Sequence, residues 1–180
     1  MSTIIRLLGY ENATPPKLRR FLPRFVGHEK EHRKVTLVPD LYEWVTRSVK
    51  SDALNQVKAQ ARVHFGQFVK GAQVDDCHFM KRIEDRRQTP PDFSHEVWAI
   101  SPRFDPPQYR FFGVFVTQDW FFGCTKQSRD WLDQHENRWH TEIDKTLRIW
   151  RRFFDGALPH GGSQLHQYIS HNARHCDGRW

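Results

Sequence analysis

Five residues between positions 103 and 129 have the chemistry to handle a phosphodiester: Arg103, Tyr109, Arg110, Lys126 and Arg129. Cations beside an aromatic ring can hold phosphates and stack a base. An Arg or Lys also stabilises the charge that grows on a phosphorane when a ribose 2′-OH attacks the adjacent phosphate. These positions are separated along the chain, so the fold must bring them together. The ends of neighbouring antiparallel strands would do so.

Two other clusters have the residue types of metal sites. His28-Glu29-Lys30-Glu31-His32 spells H-E-x-x-H. On a helix the two imidazoles would share a face and bind zinc, with Glu29 as general base. The neighbours argue against this reading: Gly27 precedes, Glu31, Arg33 and Lys34 crowd the second His, and no strong third ligand follows. His160, His166, His171, His175 and Cys176 fit the spacing of no compact zinc module and read as a polar, mobile tail. No metal or other cofactor is therefore assigned. Cys77, Cys124 and Cys176 are far apart, odd in number and form no CxxC. The expectation is no disulfide framework and a reducing compartment.

The elements that would position the cations follow from periodicity. Asp40 is placed as the N-cap of a helix to about Val49, with Leu41, Trp44, Val45 and Val49 on one face. Ser51 caps a second helix whose Leu54, Val57, Ala61, Phe65 and Phe68 are three or four apart, and Gly71 stops it. A short helix is expected from Asp76 to Asp85. The period then changes to two. His95–Ser101, Tyr109–Thr117 and Trp120–Lys126 read as a three-stranded meander, turning tightly at Gln118-Asp119. Its rings, Phe111, Phe112, Phe115, Phe121 and Phe122, read as core or as a stacking platform. A last helix runs from about Asp133 to Asp155, with Trp139, Ile143, Leu147, Trp150 and Phe154 as its apolar stripe. Ser2–Leu8 reads as one strand, and residues 17–34 as a basic arm broken by Pro23 and Gly27.

With 180 residues the chain suffices for one domain plus an extension. The expected division is a basic extension over residues 1–39, a core domain over 40–156 and a flexible tail over 157–180. A net charge of +7 favours phosphate-bearing partners. No apolar run approaches transmembrane length, and the first residues show no signal-peptide pattern, so a cytoplasmic protein without a membrane partner is expected.

The run from Pro91 through EVWAISPR, then YRFFGVFV, then FFGCTKQSR, resembles the RelE/ParE toxin superfamily, including its HigB-like, phage-associated branch. The resemblance is best over residues 76–132 and extends over 40–155. It implies an α+β fold in which N-terminal helices pack on a small twisted antiparallel sheet closed by a C-terminal helix. It further implies a metal-independent endoribonuclease acting on mRNA at the ribosome, silenced by a small acidic antitoxin. Arg110 sits on the family's YR strand position, Arg103 near the Arg ending the preceding strand, and Lys126 and Arg129 on the basic exit of the last strand. Arg110 and Arg129 would neutralise the scissile phosphate, while Arg103 and Lys126 would grip flanking RNA. Where the family has an aromatic base the chain has Trp131, which cannot take a proton, so proton transfer falls to Tyr109 or His95. The alternative is a non-catalytic module of the same fold that binds RNA, the ribosome or a protein.

Overall fold

A computed structural model describes residues 18–87, 95–102 and 107–176. Its main sheet has six strands: β1 (Arg19–Arg20), β2 (Lys34–Leu37), β4 (Met80–Arg82), β5 (Trp98–Ile100), β6 (Tyr109–Thr117) and β7 (Trp120–Ser128), in the order β1-β2-β7-β6-β5-β4. Helices α1 (Pro39–Thr46) and α2 (Asp52–Val69) lie between β2 and β4 in the chain. A pair formed by β3 (Val74–Asp75) and β8 (Ala173–Arg174) makes a second, parallel sheet. The short α3 (Arg129–Asp133), then α4 (Glu136–Phe154) and α5 (Leu165–Tyr168), follow β7.

This corrects the expected fold of N-terminal helices on a small antiparallel sheet. The sheet is mixed, because β2 precedes both helices and pairs parallel with β7, Val35 opposite Phe121 and Leu37 opposite Gly123. The Val-Thr-Leu run just after the supposed basic arm is buried in that position. It covers the side of β7 that would otherwise be an open edge. The meander itself forms as its alternation predicts, β5 to β6 to β7, all antiparallel.

Both faces of the meander are covered, which explains why β6 is buried along its whole interior rather than at alternate residues. Phe111 and Phe121 face α2, at 5.2 Å from Phe65 and 6.4 Å from Phe68 between ring centroids. Phe112 and Phe122 face α4, at 5.8 Å from Trp139 and 5.0 Å from Phe154. The rings are core on both sides rather than an open platform. Gly113 stands opposite Gly123 at a bulge, where a Cβ would lie 2.2 Å from the Phe122 carbonyl oxygen.

Helix α2 starts as its sequence predicts, with Ser51 Oγ accepting from the Leu54 N–H at 3.4 Å. Gly71, at φ +80°, follows its end. Helix α1 starts two residues earlier than expected: Val38 is the N-cap and Pro39 takes the first turn, where its missing N–H costs nothing. The helix expected at 76–85 does not form. The Asp75 carboxylate instead takes the N–H groups of Cys77 and Phe79, at 3.2 and 3.0 Å, making a local turn. Met80–Arg82 then pairs with β5, and a strand replaces the helix.

Within the tail expected to be mobile, Leu165, Tyr168 and Ile169 are buried. Tyr168 lies 4.7 Å from Trp98 and 5.3 Å from Phe115, with its hydroxyl on the Glu96 carboxylate. Burying Tyr168 and Ile169 contributes about 2 kcal/mol each. Arg33, from the supposed arm, is fully buried and donates to the Ala72 carbonyl at 2.8 Å and to the carbonyl of His171. It ties the tail to the end of α2. Cys77 and Cys176 form a disulfide with Cα atoms 6.1 Å apart. The inference to a reducing compartment rested on the cysteines having no partner, and this pairing removes that premise. Among the described residues no helix is long and apolar enough to cross a membrane. The expected strand at 2–8 lies outside the described residues.

Candidate functional site

The two faces of the meander divide the candidate residues. Arg110 shares the face of Phe112, toward α4. Lys126 stands opposite Phe111 on the other face, with its ammonium 4.5 Å from the Trp44 ring and 5.8 Å from Tyr109. Burial lowers the pKa of Lys126, and Lys58 nearby adds to the effect. Tyr109 packs on Trp44 at 5.2 Å. Tyr109 and Lys126 therefore form one local cluster, and Arg110 belongs to another. His95 precedes β5, half-buried, with its Nδ1 accepting from the Val97 N–H at 3.0 Å. Arg103 lies outside the described residues.

Arg110 and Arg129 come together. Both line a cleft of about 1250 Å³ bounded by β4, β5 and β6 on one side and by α3 and α4 on the other. Arg129 reaches it because its backbone N–H bonds the Gln108 carbonyl at 2.7 Å, which ends β7 and starts α3 beside the root of β6. Its Nε donates to Asp133 one helical turn on, at 2.9 Å. That bond braces the guanidinium at the cleft wall. Arg110 rises from the buried wall, with Trp139 and Leu132 as neighbouring apolar lining.

The cleft holds further charge that strand patterning did not point to. Lys81 from β4 and Arg86 beyond it bring the cations to four, against the carboxylates Glu84, Asp133 and Glu136. Arg86 donates from Nε to Glu84 at 2.7 Å, so it too is braced by a neighbouring acid. Two imidazoles line the cleft: His78 is exposed, and His140 is buried. His140 Nε2 lies 3.8 Å from Asp85 Oδ1, and its buried Nδ1 has no partner among the described residues. Asp85 accepts from Arg87 at 2.7 and 2.9 Å, which lowers its pKa to about 2. The ionised Asp85 carboxylate therefore stands beside the His140 ring.

Sequence reasoning missed His140 because the helix carrying it was read only for its apolar stripe. A signal was present, since His140, Ile143 and Thr146 share the spacing of the buried face. Lys81, Arg86 and His78 had no such signal, because the segment carrying Lys81 and His78 was expected to be helical and Arg86 to follow its end.

The H-E-x-x-H run is not helical. Gly27 and His28 form a turn, Glu29 pairs with Lys70 at 2.7 Å, and Glu31 pairs with Arg20. The geometry that makes the motif a zinc site is therefore absent, and with it the peptidase reading. No family model, no curated protein and no solved structure matches this chain.

Proposed function

We propose that the cleft binds the backbone of single-stranded RNA and promotes attack of a ribose 2′-OH on the adjacent phosphate. The observation that carries this reading is the convergence of Arg110 and Arg129 with His140 in one cleft. The Arg129 guanidinium, braced by Asp133, is a planar donor group of the kind phosphate accepts, and Arg110 adds positive charge to the same cleft wall. Trp139 supplies an aromatic surface within the same cleft. The resemblance of the YRFFGVFV strand to the RelE/ParE superfamily points the same way.

Proton transfer falls to His140 rather than to Tyr109 or His95. Tyr109 packs against Trp44 on the opposite face, and His95 is not part of the cleft lining. The 2′-OH would lose its proton as its oxygen attacks phosphorus, and the 5′-oxygen would leave with a proton, giving a 2′,3′-cyclic phosphate. Asp85 would support the imidazolium between the two transfers. An acidic protein that covers the cleft would block both binding and cleavage.

The carboxylates Glu84, Asp133 and Glu136 favour a second reading, a non-catalytic module whose cleft takes RNA or a mixed-charge protein segment. A labelled single-stranded RNA, tested for anisotropy and for cleavage, separates the two. Cleavage that stops when the scissile ribose is 2′-deoxy supports the enzyme. Binding without cleavage supports the module. No binding at physiological salt ends the RNA reading.

A further inference from the structure

A different cluster lies at the rim of the cleft. The two sulfurs of Cys77 and Cys176 and a ring nitrogen of His78 all lie within 4.8 Å of one another. We propose that these three residues form a zinc site that alternates with the disulfide: oxidised, the sulfurs bond to each other; reduced, they and His78 hold one Zn²⁺. The inference goes beyond the RNA reading and does not depend on it.

The scaffold for this site follows from one register. The parallel pair of β3 and β8 sets Val74 opposite Ala173 and Asp75 opposite Arg174. The same offset continues past the strands. Asp76 Oδ2 meets His175 Nδ1 at 2.7 Å, and Cys77 meets Cys176, a separation of 99 residues. Neither cysteine is positioned only by its sulfur. The Cys77 N–H donates to Asp75 at 3.2 Å, and the Cys176 N–H donates to Asp76 at 2.9 Å. These backbone bonds persist when the sulfur–sulfur bond opens, so the ligands stay together.

The donor set selects the metal. Two thiolates and an imidazole suit zinc and exclude magnesium and calcium, which prefer oxygen. Around one zinc, Zn–S distances of about 2.3 Å and a Zn–N distance of about 2.0 Å put the ligand atoms nearly 4 Å apart at most. Rotation about the side-chain bonds covers that difference. The carboxylates of Asp75 and Asp76 stand behind the ligands and lower the potential for a dication. Three protein ligands leave the fourth position to water. Cys77 and His78 also line the cleft, so the site would lie at its wall.

The chemistry balances with a dithiol reductant. The reductant gives two electrons and two protons to the disulfide, yielding two thiols and its own cyclic disulfide. Zinc then displaces both thiol protons and takes the neutral imidazole, releasing two protons to solvent.

The test uses the full chain. The protein is reduced with a phosphine, stripped with a chelator and titrated with Co²⁺ as a visible reporter, then with Zn²⁺. One equivalent of cobalt should bind with thiolate-to-metal charge-transfer absorption, and zinc should displace it. The oxidised protein should bind none. Bound zinc should protect two thiols from alkylation, leaving aside the buried Cys124. His78→Ala should keep the disulfide when oxidised and lose at least about tenfold in zinc affinity when reduced. Cys77→Ser should lose both disulfide and metal. The proposal falls if the reduced chain takes up no stoichiometric metal, if the oxidised chain binds it equally well, or if His78→Ala binds zinc as tightly as the wild type.

Discussion

The imidazole of His140 and the carboxylate of Asp85 face each other across 3.8 Å, one on α4 and the other just beyond β4. The contact joins the two walls of the cleft. Arg87 extends it, donating to both Asp85 and Asp144, the latter at 2.9 Å on the same helix as His140. Arg87 therefore clamps α4 against the segment after β4.

This clamp is acid-labile. The Asp85 pKa is lowered from 3.8 to about 2, chiefly by Arg87. A lowered carboxylate contributes stability that is complete above the unfolded value and lost as pH falls through the folded one. Urea unfolding should lose about 1 kcal/mol between pH 4 and 2 from this group, after allowance for solvent screening at the half-exposed Arg87. Asp85→Asn should remove that part of the pH dependence and weaken the wild type above pH 4. An unchanged slope in the variant would place the acid sensitivity elsewhere.

His64 produces a second window. It is buried and stacked on Phe79 at 3.9 Å, and desolvation lowers its pKa from 6.5 to about 4. The folded imidazole stays neutral while the unfolded one takes a proton, so stability falls as pH drops from 6.5 to 4 and levels off below. The loss is up to about 3 kcal/mol. His64→Gln lacks the titration, so its deficit against wild type should shrink steadily over that range. Unfolding curves at four pH values would show it.

The division of the cations between two faces predicts separable effects on RNA. Arg110→Ala and Arg129→Ala should each weaken binding at least about tenfold, the loss of a charge-assisted contact of about 1.5–3 kcal/mol. Lys126→Ala should leave affinity for the cleft nearly unchanged and instead reduce stability, because its ammonium lies over Trp44. Anisotropy and thermal unfolding on the same three proteins measure both. Equal losses of binding in all three would mean that RNA crosses to the other face.

Gly113 tests the packing of the sheet. A Cβ there meets the Phe122 carbonyl oxygen at 2.2 Å and the tip of the Phe121 ring at 2.5 Å. The backbone of a paired strand cannot yield, so Gly113→Ala should cost about 3 kcal/mol or more. Gly156→Ala is the control. That glycine has φ +76° but nothing within 4 Å of the added carbon, and its cost should stay near about 1 kcal/mol. Chemical denaturation of the pair compares steric with conformational strain.

Local patterning was enough to read the hairpin and the two long helices. Period two marks β6 and β7, Ser51 and Gly71 bound α2, and the apolar spacing of α4 is visible in the chain. The split between Arg110 and Lys126 overturns the expectation that the meander brings all these cations together. A two-residue turn sets Thr117 opposite Trp120, and counting back sets Lys126 opposite Phe111, one residue away from Arg110 and on the other face. What the chain alone could not show depends on partners remote in sequence. Lys34–Leu37 becomes a central strand only because β7 offers it an edge. Met80–Arg82 becomes a strand because Asp75 turns the chain and β5 receives it. Cys77 and Cys176 meet because two short strands pair in parallel at a sequence separation of 99. Local energies decide a helix or a hairpin. The choice of edge, face and cleft wall is decided by which distant surfaces bury each other, and only the tertiary structure contains that information.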